Sequence, residues 1–262
     1  MVKFLRDAIF YWPKNDYMQP LVSIVTVTKN CGSTIERTLN SIQAIKTPDI
    51  QYVIIDGESE DETLSIISRY KQIVDVLISE KDTGIYNAMN KGTAIANGQY
   101  ILFLNGDDYI LPKGFNEAKK ILVENKPEIL SCQSKVVSQN GTKLGNLYPS
   151  LWRLFFFNTI PHLSTFVSSR LQKKYKFREQ FKIAADYDMF LRVFLKMHYF
   201  QITELVVATH FRGGYSNNSS QSIAEMRQIR RENLGAFLYS VTRIMEDMNQ
   251  YLNLIIFKFK RK

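Results

Sequence analysis

Gln99-Tyr-Ile-Leu-Phe-Leu-Asn-Gly-Asp-Asp108 is the stretch whose reading decides the fold. An apolar run of strand length ends abruptly on two adjacent carboxylates. A continuous apolar run, in place of an alternating one, is the pattern of a strand buried on both faces of a parallel sheet. Open α/β sheets hold their ligands just beyond the carboxyl ends of such strands, which puts Asp107 and Asp108 where chemistry is found. Asn, Gly and Asp are also the ordinary residues of a polar turn, so the flanking sequence has to choose between the two readings.

Working outward, the same grammar repeats. Leu21-Val-Ser-Ile-Val-Thr-Val-Thr28 is rich in β-branched residues and follows Pro20. Gln51 to Asp56 and Val74 to Ser79 read as two further strands. Between them, Ser33-Thr-Ile-Glu36 and Ser59-Glu-Asp-Glu62 have the form of capping boxes, each followed by apolar residues at helical spacing. A helix is expected over 85–96, closed by Asn97-Gly98, and another from Phe115 to Val123 behind Pro112. Strands alternating with amphipathic helices predict βαβ units and an α/β fold built on a mostly parallel sheet, with helices on both faces. Right-handed crossovers bring the strand ends to one edge. That edge would carry Thr28 and Asn30, then Asp56, Asp82, and Asp107 with Asp108. Four consecutive exits with polar or acidic groups favour a functional cleft over random turns.

The first strand-to-helix turn has neither a G-x-G-x-x-G nor a P-loop, which argues against a dinucleotide enzyme or a P-loop NTPase. Carboxylates repel phosphate unless a divalent cation lies between them, and carboxylate and phosphate oxygens are what Mg²⁺ and Mn²⁺ prefer. A nucleoside diphosphate held through Mn²⁺ or Mg²⁺ by Asp107 and Asp108 is therefore a coherent ligand. Asp56 and Asp82 could accept from a ribose hydroxyl or a base N–H.

With 262 residues and 45% hydrophobic content, the chain can bury a sizeable core. Its two cysteines give no disulfide framework and no metal-ligand spacing, which fits a reducing compartment. The first twelve residues lack the pattern of a secretory signal, and no apolar run reaches the length of a membrane span. A net charge of +9 calls for an anionic partner.

Leu21 to Pro112 resembles the N-terminal half of family 2 glycosyltransferases of the GT-A fold. The resemblance rests on the first strand, on Ile55-Asp-Gly-Glu-Ser-Glu-Asp-Glu-Thr63, on Glu80-Lys-Asp-Thr-Gly-Ile-Tyr-Asn-Ala-Met-Asn-Lys-Gly92, and on Asn105-Gly-Asp-Asp108 at the place of the D-x-D metal motif. The third block looks like that of the bacterial polysaccharide (colanic-acid-type) branch. The resemblance implies inverting transfer from a nucleoside diphosphate sugar, UDP-sugar foremost, to a glycan or lipid-linked acceptor. A cation would bridge the diphosphate and an aspartate would serve as base. It adds Asn90 and Lys91 to the nucleotide-sugar residues. Asn105 replaces the first acid of D-x-D; being a neutral oxygen donor, it leaves the metal mainly to Asp107, with Asp108 assisting.

In the second half, Pro161-His-Leu-Ser-Thr-Phe166 resembles the segment that leads to the acceptor region, with His162 and Trp152 as its candidates. Core packing is the competing reading of the apolar stretch 151–158, and a structural histidine that of His162. Ile183-Ala-Ala-Asp-Tyr-Asp188 aligns with the family's acidic motif at a helix start. Asp186 is then the expected base and Asp188 its backup, although Ala185 stands where many members have Glu. His210 is a further candidate metal ligand. The loop Phe211 to Ser220 suits a closing segment, and its Arg212 a diphosphate contact.

The expected organisation is a lead-in over 1–20 and a GT-A domain over 21–220, divided at 112/113 into nucleotide-sugar and acceptor halves. A basic amphipathic helical tail over 221–262 completes it. The lead-in reads as an amphipathic turn or two. The tail closes on aromatics with Lys258, Lys260, Arg261 and Lys262, a composition that seeks anionic lipid. The implied location is cytoplasmic and peripheral on the inner face of the membrane, with no nucleic-acid partner. A glycoside hydrolase with paired carboxylates, or a nucleotidyltransferase that makes sugar nucleotides, are the alternative enzymes.

Overall fold

The computed structural model describes residues 9–11, 19–138, 140–211 and 219–246. The strands are β1 (Ile9–Tyr11), β2 (Val22–Thr28), β3 (Ile50–Asp56), β4 (Val76–Ser79), β5 (Tyr100–Asn105), β6 (Tyr109–Ile110), β7 (Ile129–Val137), β8 (Lys143–Leu147), β9 (Thr165–Ser168) and β10 (Phe200–Phe211). The helices are α1 (Ile35–Gln43), α2 (Thr63–Ser68), α3 (Ile85–Ile95), α4 (Pro112–Asn125), α5 (Ser169–Lys174), α6 (Ala185–Leu195) and α7 (Ser219–Asn233).

Among the described residues the strands form one sheet in the order β1-β4-β3-β2-β5-β9-β7-β10-β6, with β8 beside β7. The block β4-β3-β2-β5 is parallel, as its continuous apolar runs require, and β7 and β10 are parallel to each other. β9 joins the two blocks antiparallel to both β5 and β7. The lead-in contributes a strand in place of the expected amphipathic turn: β1 pairs antiparallel with β4 and covers that edge of the sheet.

Two apolar layers enclose the sheet. Val25, Val27, Val53 and Ile55 face one cluster with Tyr86 and Met89 of α3 and Phe190 of α6. Ile24, Tyr52, Ile54 and Leu102 face the other, with Ile35 and Leu39 of α1 and Phe115 of α4. Alternation along each strand therefore feeds both layers, which is why the runs are apolar at every position. α7 belongs to the same body, since Ile229 and Leu234 are buried in the α6 cluster. A further helical stretch covers 236–246, where Phe237, expected on the apolar stripe, is 84% exposed.

The capping boxes do not form. α1 starts at Ile35 and α2 at Thr63, neither with a side-chain cap. The residues that would have capped them are used between loops. Thr34 Oγ1 donates to the Gly106 carbonyl (3.1 Å), and Ser59 Oγ accepts the Asn30 N–H (2.8 Å) while donating to Asp56 within its own loop. Loop-to-loop bonds outcompete the helix caps because the strand exits are packed side by side.

Candidate active site

Register places the strand exits level. Thr28 is opposite Asp56, Asp56 opposite Ser79, and Val27 opposite Asn105. A cleft of about 1270 Å³ opens at that edge. Thr28, Asn30, Asp82, Asn105, Asp107, His162, Asp186 and His210 all line it. The structure thus brings together groups from the exits of β2, β4 and β5, the end of β10, and the start of α6.

On the β5 side the turn is tight. A Cβ on Gly106 would come within 2.7 Å of Thr28 Oγ1, so only glycine lets the carboxylate turn lie against β2. Asp107 reaches into the cleft. Burial, and then the neighbouring Asp108, push its carboxyl above the ordinary range. Asp108 is fully buried; its oxygens accept from the Phe211 N–H (3.0 Å) and from Asn105 Nδ2 (3.0 Å). It ties β10 to the turn and does not line the cleft, so the structure places it away from the metal corner where it was expected to assist. His210 Nδ1 lies 3.5 Å from Asp108 Oδ1, an electrostatic approach that is too long for a good hydrogen bond. Burial alone would lower the His210 pKa, but Asp108 and Asp107 raise it.

A divalent cation fits this corner. Asn105 Oδ1 and His210 Nδ1 are buried without a hydrogen-bond partner among the described residues. Among those residues no three His, Cys, Asp or Glu side chains gather as a closed cage. The donor set suits an ion that takes one carboxylate from protein and other oxygens from a phosphate ligand.

Asp186, which also lines the cleft, is 5% exposed. It follows Ala185, the first residue of α6, so its carboxylate sits in the first turn, facing the cleft. Tyr86 Oη lies 3.1 Å from Oδ1, which also accepts the Tyr187 N–H at 2.8 Å. Asn158 Nδ2 donates to Oδ2 at 2.9 Å, and His162 Nδ1 is 3.3 Å from the same oxygen. Burial alone would raise this carboxyl, but His162, Asn158 and the amide outweigh it and hold it below its ordinary value.

Other expected site residues do not reach the cleft. Asp56 is fully buried and spends its oxygens on Ser59 and Ser79 Oγ (2.7 Å). Asn90 pins the main chain of Phe177 by donating to its carbonyl (2.9 Å) and accepting its N–H (3.1 Å). Lys91 pairs with Glu80 at 2.7 Å. Asp188, the backup base, is fully buried under Arg178 and Arg192 and does not line the cleft; a carboxylate so paired has no route to an acceptor. Trp152 is 66% exposed outside the cleft, in a single 3-10 turn. Arg212, most of the expected closing loop and the lipid-seeking tail end lie outside the described residues.

Sequence reasoning missed several groups. Arg37 and Thr38 of α1, with Thr34 ahead of it, bond the carbonyls of Asp107, Asp108 and Gly106. Glu179 lines the cleft, held by Asn87, Asn90 and Thr83. A polar residue on a helix face carries no local mark of such a contact. Tyr86 lay within a quoted block and could have been singled out there.

The sequence model of glycosyl transferase family 2 matches residues 23–199. The chain belongs to glycosyl transferase family 2. It is a glycosyltransferase, which sets aside the hydrolase and nucleotidyltransferase alternatives. A PGL/p-HBAD biosynthesis glycosyltransferase of Mycobacterium bovis is 29% identical over 208 residues, covering 76% of this chain and 80% of that one. Among solved structures, S. aureus TarS 1-349 superposes with a TM-score of 0.63 at 21% identity, over 79% of this chain and 64% of that one. The mannosyltransferase PcManGT from Pyrobaculum calidifontis gives a TM-score of 0.59 at 18% identity, over 90% of this chain and 67% of that one. These likenesses show the GT-A fold.

Proposed function

We propose that this glycosyltransferase moves a sugar, with inversion, from a nucleoside diphosphate sugar to a glycan or lipid-linked acceptor in cell-surface polysaccharide assembly. The observation that carries the reading is the cleft itself, lined by both Asp107 and Asp186. The ligands bound by the structural neighbours agree with such a donor: TarS has been solved with UDP-GlcNAc, and PcManGT with GDP-Man and Mn²⁺. UDP is our first choice of nucleotide.

Asp107 and His210, with the free Asn105 oxygen, would hold Mn²⁺ or Mg²⁺ against the diphosphate. When bound, the cation supplies charge neutralisation for the departing diphosphate. Thr28, Asn30 and Asp82 form the remaining nucleotide-facing wall. Asp186 takes the proton of the acceptor hydroxyl. The acceptor oxygen bonds to the anomeric carbon from the face opposite the diphosphate. The bond from that carbon to the diphosphate oxygen breaks, and the nucleoside diphosphate leaves with the electron pair. Asn158 and His162 fix the carboxylate that receives the proton.

The test is a pair of variants. Asp107→Ala should abolish both transfer and cation-dependent nucleotide binding, read by thermal shift with UDP-, GDP- and dTDP-sugars with and without Mn²⁺. Asp186→Ala should lower transfer by about 10²–10⁴-fold, as loss of a general base does, while donor binding persists. Full transfer by Asp186→Ala would overturn the base assignment.

A further inference from the structure

The loop that delivers Asp186 is held by a residue beyond the region that matches the family. Glu225, on α7, is 9% exposed. Its Oε1 accepts the N–H of Lys182 at 3.0 Å, and its Oε2 accepts those of Ile183 and Ala184, each at 2.9 Å. Ala184 is the N-cap position just before Ala185, the first residue of α6, and α6 has no side-chain cap of its own. The first N–H groups of a helix have no partner within it, so they must find one elsewhere. Here the partner is a carboxylate from another helix. Gln221, one turn earlier on α7, donates to Glu225 Oε1 at 3.1 Å and sets its rotamer. From the other side Tyr86 donates to the Ile183 carbonyl at 2.7 Å. The three residues before α6 are thus pinned by their amides, and Ile183 by its carbonyl as well.

α7 is itself well anchored. Ile229 and Leu234 are buried against α6, and Ser222 and Met226, on either side of Glu225, line the cleft. Asp186 is the carboxylate nearest in sequence to the amides of Ile183 and Ala184. Without Glu225, these two N–H groups would be left to compete for it. A carboxylate that accepts main-chain N–H bonds becomes a weaker base and turns away from the acceptor.

We infer that Glu225 is a positioning residue: it collects the amides of Lys182, Ile183 and Ala184 so that Asp186 stays aimed into the cleft as the proton acceptor. This rests on Asp186 being the base proposed above. It makes a helix outside the family-matched segment part of the catalytic machinery.

The test is a double-mutant cycle on the full chain under single-turnover conditions. Glu225→Ala should lower the transfer rate by about tenfold or more, as small misplacements of a catalytic group do, with donor affinity within about twofold of wild type. Glu225→Gln keeps an acceptor oxygen and should fall between the two. In an Asp186→Asn background, Glu225→Ala should cause no further loss, because it acts through the missing carboxylate. A full multiplicative loss in that background would overturn the inference. So would a Glu225→Ala or Glu225→Gln enzyme whose rate falls only in proportion to its unfolded fraction. If Asp186→Asn transfers at the wild-type rate, the base assignment has failed instead, which is a separate result.

Discussion

Arg37 donates a 2.7 Å hydrogen bond to the main-chain carbonyl of Asp107, and the same guanidinium lies 3.7 Å from the centre of the Phe211 ring. One side chain thus joins the carboxylate turn after β5 to the end of β10. Thr38 Oγ1 donates to the Asp108 carbonyl at 2.6 Å, so consecutive peptide groups of the turn are held by one face of α1. Thr34, three and four residues before them, donates to the Gly106 carbonyl at 3.1 Å, the spacing that brings side chains to one face of a helix.

Arg37→Ala should therefore weaken cation-dependent donor binding and turnover together, without removing any ligand. A hydrogen bond from a charged donor contributes about 1.5–3 kcal/mol. That corresponds to a loss of roughly tenfold to a hundredfold in kcat/KM. Arg37→Lys should recover little, because an ammonium group cannot bond the carbonyl and stack on Phe211 in the same geometry. Steady-state kinetics over a Mn²⁺ titration would check both.

The pH profile should report the bonds at Asp186. Its folded pKa is depressed from the ordinary 3.8, against burial, chiefly by His162 and Asn158. The stability this adds is present above the unfolded value and is lost as pH falls through the native one. The carboxylate is thus ionised across the neutral range, and the acid limb it sets lies below its ordinary value. Removing a donor should raise it: His162→Ala or Asn158→Ala should move the acid limb of kcat upward in pH. An unmoved limb in both variants would show that another group sets it.

Asp188 sits two residues from Asp186, yet its consequences should be opposite. It is fully buried and accepts from Arg192 Nε at 2.8 Å, from Arg178 Nε at 2.9 Å and from Asn233 Nδ2 at 3.3 Å. Removing one partner of a buried ion pair typically costs about 3–5 kcal/mol. Asp188→Ala should thus lower the denaturation midpoint markedly, and the remaining folded enzyme should keep its turnover. Asp186→Asn should instead lose most of its turnover.

These two aspartates also show where the sequence was legible. The strand runs and their polar exits were readable because burial on both faces and the crevice at the strand ends leave local marks, and those marks alone put Asp107 at the cleft edge, where it lies. The period-3.6 pattern could place Asp186 and Asp188 on one helix start but could not tell them apart. Their difference comes from Arg178, Asn158 and His162, which are distant or unaligned in sequence. Asp56 was misplaced for a related reason: a carboxylate that exits a strand can turn down onto Ser59 and Ser79 as easily as up into a cleft. The joining of the two parallel blocks through antiparallel β9 had no local signature, because pairing of four-residue strands is decided by the neighbours they meet.

Membrane attachment is the remaining expectation, and it rests on composition. None of the described helices is long and apolar enough to cross a bilayer. Phe257, Phe259, Lys258, Lys260, Arg261 and Lys262 combine aromatic and cationic groups at the end of the chain. Each basic residue near an anionic surface contributes about 1 kcal/mol, so four of them should dominate peripheral binding. Co-sedimentation with vesicles should therefore be strong with phosphatidylserine, weak with phosphatidylcholine alone, and reduced by salt. Replacing the four basic residues with glutamate should release the enzyme into the supernatant while transfer to a soluble acceptor is retained. Equal binding to neutral and anionic vesicles, or no change on charge reversal, would show that the tail does not attach the enzyme in this way.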